Sequence, residues 1–210
     1  MAQSYLLNNS CLVCSISSDK MICKNCIDKL SYFPKKNYLK YSNNFYFDNV
    51  YSLFNFNDIL KKIIHLYKFD NKRKLSSFFS ELLLEHFTQD FFNAYDYIVL
   101  TPLHKNKYRK RGFNQTSLII EKLVPKDRIF LDIIRDKNTK QQSLLNTKNE
   151  RIKNLENSFI FKKNMEKQLI DKKILIFDDI FTTGTTLNSL AKIFYFTKVK
   201  QIDVLTLGIV

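Results

Sequence analysis

Ile174-Leu175-Ile176-Phe177-Asp178-Asp179-Ile180-Phe181-Thr182-Thr183-Gly184-Thr185-Thr186 decides how the chain is read. Four apolar residues suit a strand buried on both faces, as in a parallel sheet covered by helices. Two carboxylates follow at its carboxyl end, where open α/β sheets receive their ligands. The hydroxyl-rich turn then leads into a helix. Adjacent acids can accept hydrogen bonds from two vicinal ribose hydroxyls, and Gly184 lets the backbone approach a phosphate. Thr182, Thr183, Thr185, Thr186 and the amides of the helix start supply donors to that phosphate. The spacing fits a ribose 5-phosphate. Each half also has a plainer use, since paired aspartates can hold a metal and Thr-Thr-Gly can cap a helix.

The flanking sequence alternates in the manner of an α/β parallel-sheet domain. Further strands are expected at Tyr97 to Leu100, Ile129 to Ile134, Phe159 to Phe161 and Ile202 to Leu207, with helical patterns after the first strand and after Phe177. Upstream, Ile59, Leu60, Ile63, Ile64 and Leu66, then Leu75, Phe78, Phe79, Leu82 and Leu83, fall at helical spacing. They predict two helices joined near Asp70-Asn71. Thr147 with Glu150 forms a capping box, and Arg135 to about Thr147 is the longest irregular stretch.

The first strand runs into Thr101-Pro102-Leu103-His104 and a basic segment, Lys105, Lys107, Tyr108, Arg109, Lys110, Arg111, Gly112 and Phe113. Five of the seven residues from Lys105 to Arg111 are Lys or Arg. Placed as a loop after a strand end, this charge can meet a pyrophosphate. It can equally grip a nucleic-acid backbone, with Tyr108 and Phe113 as stacking faces for unpaired bases, or stand as a solvated loop. His104 is the histidine nearest the strand end, a position that more often serves packing than proton transfer. His65 and His86 sit within helical patterns and are assigned no function.

All four cysteines lie near the start as Cys11-x2-Cys14-x8-Cys23-x2-Cys26. Two such knuckles can set four thiolates tetrahedrally around Zn²⁺, closing its coordination and folding a module too small to fold alone. Two disulfides or a redox pair are the alternatives, disfavoured by the lack of a secretory signal. The expected organisation is a ribbon module over 1–48 and an α/β domain over 49–210, with helices at 57–92 and core sheet at 95–210.

Hydrophobic residues at 45% and aromatics at 14% give a globular rather than disordered composition. The net charge of +14 favours a polyanionic partner: nucleic acid, an anionic membrane surface or a phosphorylated small molecule. No apolar run approaches the ~20 residues of a membrane span, so the protein is expected in the cytoplasm.

The segment at 174–186 resembles the phosphoribosyl pyrophosphate signature of type I phosphoribosyltransferases, with both acids and Thr-Thr-Gly-x-Thr intact. The order of features adds to this: cysteine knuckles, Lys68-Phe69, Pro102-Leu103-His104, Arg111-Gly112-Phe113-Asn114-Gln115, Thr139-Lys140-Gln141-Gln142-Ser143 and Glu150-Arg151-x2-Asn154. The whole resembles the competence protein F (ComF-like) family from Cys11 onward. The resemblance implies a type I phosphoribosyltransferase fold with an N-terminal zinc ribbon. It also implies a role in natural transformation: binding incoming single-stranded DNA in the cytoplasm or at the inner membrane, beside other DNA-uptake proteins. In related enzymes a substrate-covering loop would correspond to Arg135 to Asn154. Phosphoribosyl pyrophosphate would bind with Mg²⁺ bridging its pyrophosphate. The last strand ends near Val210, so a base-reading surface is expected from the N-terminal half. Two other functions fit: an active phosphoribosyltransferase, or a regulator that senses phosphoribosyl pyrophosphate.

Overall fold

The computed structural model describes residues 10–34, 39–40, 45–70, 72–103, 105–135, 159–162 and 166–210; side chains at 39, 40, 105, 110 and 166 are not described. In chain order the elements are α1 (Lys24–Ile27), β1 (Leu39–Lys40), β2 (Asn49–Asn55), α2 (Asp58–Phe69), α3 (Leu75–Asn93) and β3 (Tyr97–Leu100). There follow α4 (Lys105–Arg111), α5 (Gln115–Ile120), a 3-10 turn (Lys126–Arg128), β4 (Ile129–Phe130), β5 (Ile133–Arg135) and β6 (Phe159–Phe161). The last elements are α6 (Glu166–Leu169), β7 (Lys173–Phe181), α7 (Thr185–Tyr195) and β8 (Gln201–Ile209).

Six strands form the main sheet in the order β1-β2-β8-β7-β3-β4. All neighbours are parallel except the short edge strand β1. The expected α/β parallel sheet is therefore present. β7 shows why its sequence is an unbroken apolar run. Side chains alternate between faces, so Leu175 and Phe177 enter one core with α2 and α3, while Ile174 and Ile176 enter another with Leu187, Leu190, Ala191 and Phe194 of α7. Burying both faces requires apolar residues at every position.

Three expectations change. Ile129 to Ile134 is not one strand: Leu131-Asp132 interrupts it, and β5 leaves the main sheet to pair antiparallel with β6. The apolar stretch from Ile174 continues as strand through both aspartates to Phe181. Asn49–Asn55 supplies a strand that helical periodicity and turn signals did not mark, parallel to β8 with Val50 opposite Val204.

The ribbon packs directly on the sheet domain. Cys11, Val13, Ile22, Cys26 and Leu30 are buried in the same core as Leu60, Ile63 and Phe79. Helix α2 is joined to the ribbon at two points: Asn57 Nδ2 donates to the Lys29 carbonyl at 3.0 Å, and Lys62 Nζ donates to the Val13 carbonyl.

Candidate functional site

Asp178 and Asp179 lie on the part of β7 that extends past the end of β3, whose last residue Leu100 pairs with Phe177. The Asp179 amide donates to Asp178 Oδ1 at 2.8 Å. Burial and the neighbouring charge of Asp179 push the Asp178 carboxyl up to about 7, opposed by the Asp179 amide, Lys68 and Thr101. Asp179 forms an ion pair with Lys68 from the last turn of α2.

The turn after β7 is shaped by Gly184 at φ +70°, where a Cβ would sit 2.7 Å from Phe181 Cζ and 3.0 Å from Phe45 Cε1. Only glycine fits that space in that conformation. The Thr183 and Thr185 hydroxyls lie 2.8 Å apart. The first turn of α7 leaves N–H groups without acceptors inside the helix. Asp178, Ile180 and the run from Thr182 to Leu187 line a polar pocket of about 70 Å³. With a water's share of liquid volume at about 30 Å³, that is about the space of two waters, suited to a group as small as a phosphate. Carboxylates for hydroxyls and a donor-lined hollow thus lie side by side.

The basic segment after β3 is a helix rather than a loop. Lys and Arg are good helix formers, and α4 ends where Gly112, at φ +74°, donates its amide to the Tyr108 carbonyl at 2.7 Å. Asn114 then caps α5 by accepting from the Thr116 amide. Arg111 lies over the Phe69 ring at 5.0 Å. Burial lowers the Lys107 pKa, as do the charges of Arg135, Arg111 and Lys68, while Asp179 raises it. The two arginines are also partly desolvated, Arg135 facing Asp178 and Arg111 facing Asp179. Four cations from three elements therefore act electrostatically on the carboxylates, Lys68 by direct ion pairing. Phe113 is buried, with Tyr67 on one side and the Arg73 guanidinium 4.8 Å from its ring centre, so its face is not open to a base. Tyr108 is half exposed. Lys105 and Lys110 are placed on α4 by their backbone. His104, 139–143 and 147–154 lie outside the described residues.

Arg135 was not singled out as a site residue by any spacing in the sequence, and Lys68 stood out only as half of a Lys-Phe pair. Beside them, an apolar cavity of about 520 Å³ opens between β3, α4, β4 and β5, with Tyr108, Arg109, Asn114, Arg135 and Lys162 among its lining.

The cysteines converge. Their four sulfurs lie within 4.8 Å of one another, with Cys11 to Cys26 at 3.8 Å and Cys14 to Cys23 at 3.6 Å. A tetrahedral Zn²⁺ with bonds of about 2.3 Å needs sulfurs about 3.8 Å apart; two of the pairs already have that spacing and the whole set lies within about 1 Å of it. The Val13 and Cys23 amides both donate to Cys11 Sγ at 3.4 Å. Burial raises the Cys11 thiol pKa, yet backbone donors from Cys23, Cys14 and Val13 together bring it down to about 6. Cys26 is pushed up to about 12 by burial and its thiol neighbours. Four thiolates would hold zinc in a closed, structural site with no position for substrate.

A parallel sheet carrying paired acids and a hydroxyl-rich turn at its strand end, with a four-cysteine ribbon at the N-terminal side, defines a fold of the type I phosphoribosyltransferase kind. No protein-family model matches the chain. It is 32% identical over 142 residues to the competence protein ComFC of Streptococcus pneumoniae, covering 68% of this chain and 60% of that protein. It is 29% identical over 144 residues to ComFC of Bacillus subtilis, covering 67% and 55%. The DNA utilization protein YhgH of Escherichia coli K12 is 29% identical over 141 residues, covering 64% and 60%. The chain thus spans less than two thirds of the length of these relatives. They place it in the ComF-like family.

Proposed function

We propose that this protein handles incoming single-stranded DNA during natural transformation on the cytoplasmic side of the inner membrane, working with other DNA-uptake proteins, and that phosphoribosyl pyrophosphate occupies the end of β7. One observation carries the ligand: Asp178 borders a phosphate-sized hollow, the adjacent Asp179 pairs with Lys68, and the charges of Lys107, Arg111 and Arg135 act on the two carboxylates. The acids take the ribose hydroxyls, Thr182 to Thr186 take the 5-phosphate, and the cations face the pyrophosphate, which Mg²⁺ would bridge. The competence role rests on the names of the ComFC and YhgH relatives, and the DNA partner on the net charge of +14. The ribbon at 1–48 serves as a metal-held module on the ligand-binding unit at 49–210.

Calorimetry with phosphoribosyl pyrophosphate and Mg²⁺ tests the site. Binding lost in the Asp178→Asn, Asp179→Asn double variant supports it, and undiminished affinity refutes it. Pyrophosphate release dependent on an added base would show turnover and make the protein an active transferase. Binding to a single-stranded oligonucleotide should weaken with salt at a log-log slope of about −0.7 per phosphate contacted. Replacing Lys107, Arg109 and Arg111 by Ala should make that slope shallower; an unchanged slope moves the DNA off α4.

A further inference from the structure

The end of α7 remote from the phosphate hollow carries a second surface. Tyr195 is 57% exposed and the adjacent Phe196 is 68% exposed. Tyr46 joins them, its ring 5.3 Å from that of Tyr195 and 6.1 Å from that of Phe196. Single exposed apolar residues are ordinary, but a contiguous cluster marks an interaction site. The cluster is held in place: Phe194 is fully buried, and the Thr197 amide and hydroxyl both donate to its carbonyl, at 2.9 and 2.7 Å. Asp171 donates its amide to the Lys198 carbonyl at 3.0 Å, tying the turn to the residues before β7.

Charge selects the occupant. Lys192 reaches over the Tyr46 ring at 5.8 Å, and Lys198 and Lys200 follow the aromatics directly. The nine residues from Lys192 to Lys200 contain three lysines and no acid. Lysine is depleted from the centres of protein–protein interfaces, whereas aromatic faces interleaved with cations are the surface that unpaired bases and their phosphates need. The lining of the hollow ends at Leu187, and at 1.5 Å per residue Tyr195 lies about 12 Å further along α7; Tyr46 bridges part of that distance, its amide donating to Asn188 Oδ1 at 2.7 Å. A phosphate-sized ligand confined to the hollow stops short of the Tyr195 and Phe196 rings.

We propose that Tyr195, Phe196 and Tyr46, with Lys192, Lys198 and Lys200, form a stacking platform for single-stranded nucleic acid, distinct from the phosphoribose site and from α4. The platform rests on the single-stranded DNA reading above and gives that partner a second point of attachment. The sequence has no Trp, so Phe196→Trp introduces one indole whose emission reports stacking directly.

The experiment titrates full-length protein with an oligo-deoxythymidine of about 20 nucleotides, long enough for at least one typical binding site. The indole of Phe196→Trp is expected to be quenched on binding. Tyr195→Ser with Phe196→Ser should lose about tenfold in affinity at unchanged salt slope and unchanged phosphoribosyl pyrophosphate affinity. Lys192→Gln, Lys198→Gln and Lys200→Gln together should make the slope shallower. These side chains are exposed or half-buried, and a retained thermal melt confirms the fold of each variant. No quenching together with wild-type affinity in the serine variant overturns the platform while leaving the DNA reading intact. Failure of the parent protein to bind the oligonucleotide sinks the functional reading itself. Quenching by anionic phospholipid vesicles but not by DNA makes the patch a membrane contact and overturns the proposal.

Discussion

Lys68 and Asp179, 111 positions apart in the sequence by their numbers, form an ion pair that closes α2 onto the end of β7. Both side chains are largely shielded, at 15% and 21% exposure. Removing one partner of a shielded pair leaves a charge without its counter-ion. Lys68→Ala is expected to cost about 1 to 3 kcal/mol of stability, between the ranges for surface and buried pairs. It should also weaken phosphoribosyl pyrophosphate binding, because the bare carboxylates repel the phosphates. Chemical denaturation and calorimetry on the same variant check both effects.

Asp178 makes stability depend on pH. Its folded-state pKa, about 7, lies above the ordinary carboxyl value, so the native state holds the proton more tightly than the unfolded chain. Stability contributed by the protonated form is complete below about pH 4 and is lost as pH rises toward 7. Asp178→Asn carries a neutral amide at every pH. Its stability advantage over the parent should be absent near pH 4, grow through the interval and level off above pH 7. Urea unfolding at stepped pH measures this, and a constant difference would rule it out.

Gly184→Ala tests the turn. A Cβ at φ +70° meets both backbone strain and the Phe181 ring. Strain of this kind costs about 1 to 3 kcal/mol, so the variant should melt lower and bind phosphate more weakly. Thr182→Ala and Thr183→Ala alter exposed side chains and should reduce binding while leaving the melting temperature nearly unchanged.

Elemental analysis should find one zinc per chain, released by a strong chelator or by Cys11→Ser with Cys26→Ser. Circular dichroism should then show loss of the ribbon before loss of the sheet domain, since the latter has its own second core on the α7 face. A metal-free protein with an unchanged melting profile would contradict the assignment.

What could be read from sequence followed from how local each signal was. α2 and α3 announce themselves by helical spacing, and β3, β7 and β8 by apolar runs that burial on both faces imposes. The cysteine set and the 174–186 turn are short enough for spacing to carry their chemistry. β2 was missed because Asn49, Ser52 and Asn55 dilute its apolar pattern, although Val50, Leu53 and Phe54 are fully buried. The helix α4 was hidden behind its own charge. Lys68 and Arg135 join the site only through tertiary folding, so no window of neighbouring residues reveals them.

Helix α2 touches the ribbon through Asn57 and Lys62 and the carboxylates through Lys68. One segment thus has a foot in each region, which provides a physical route for coupling between sites that share no ligand atom. Occupancy at the thiolates should tighten the phosphoribose site, and by reciprocity a filled phosphoribose site should tighten the grip on metal by the same factor. Competition with a chromophoric chelator, run with and without phosphoribosyl pyrophosphate, would read that factor as a shift in apparent zinc affinity. A shift of that kind would make the ribbon an allosteric input to the ligand end of the sheet, and an unchanged zinc affinity would show the two regions to be independent.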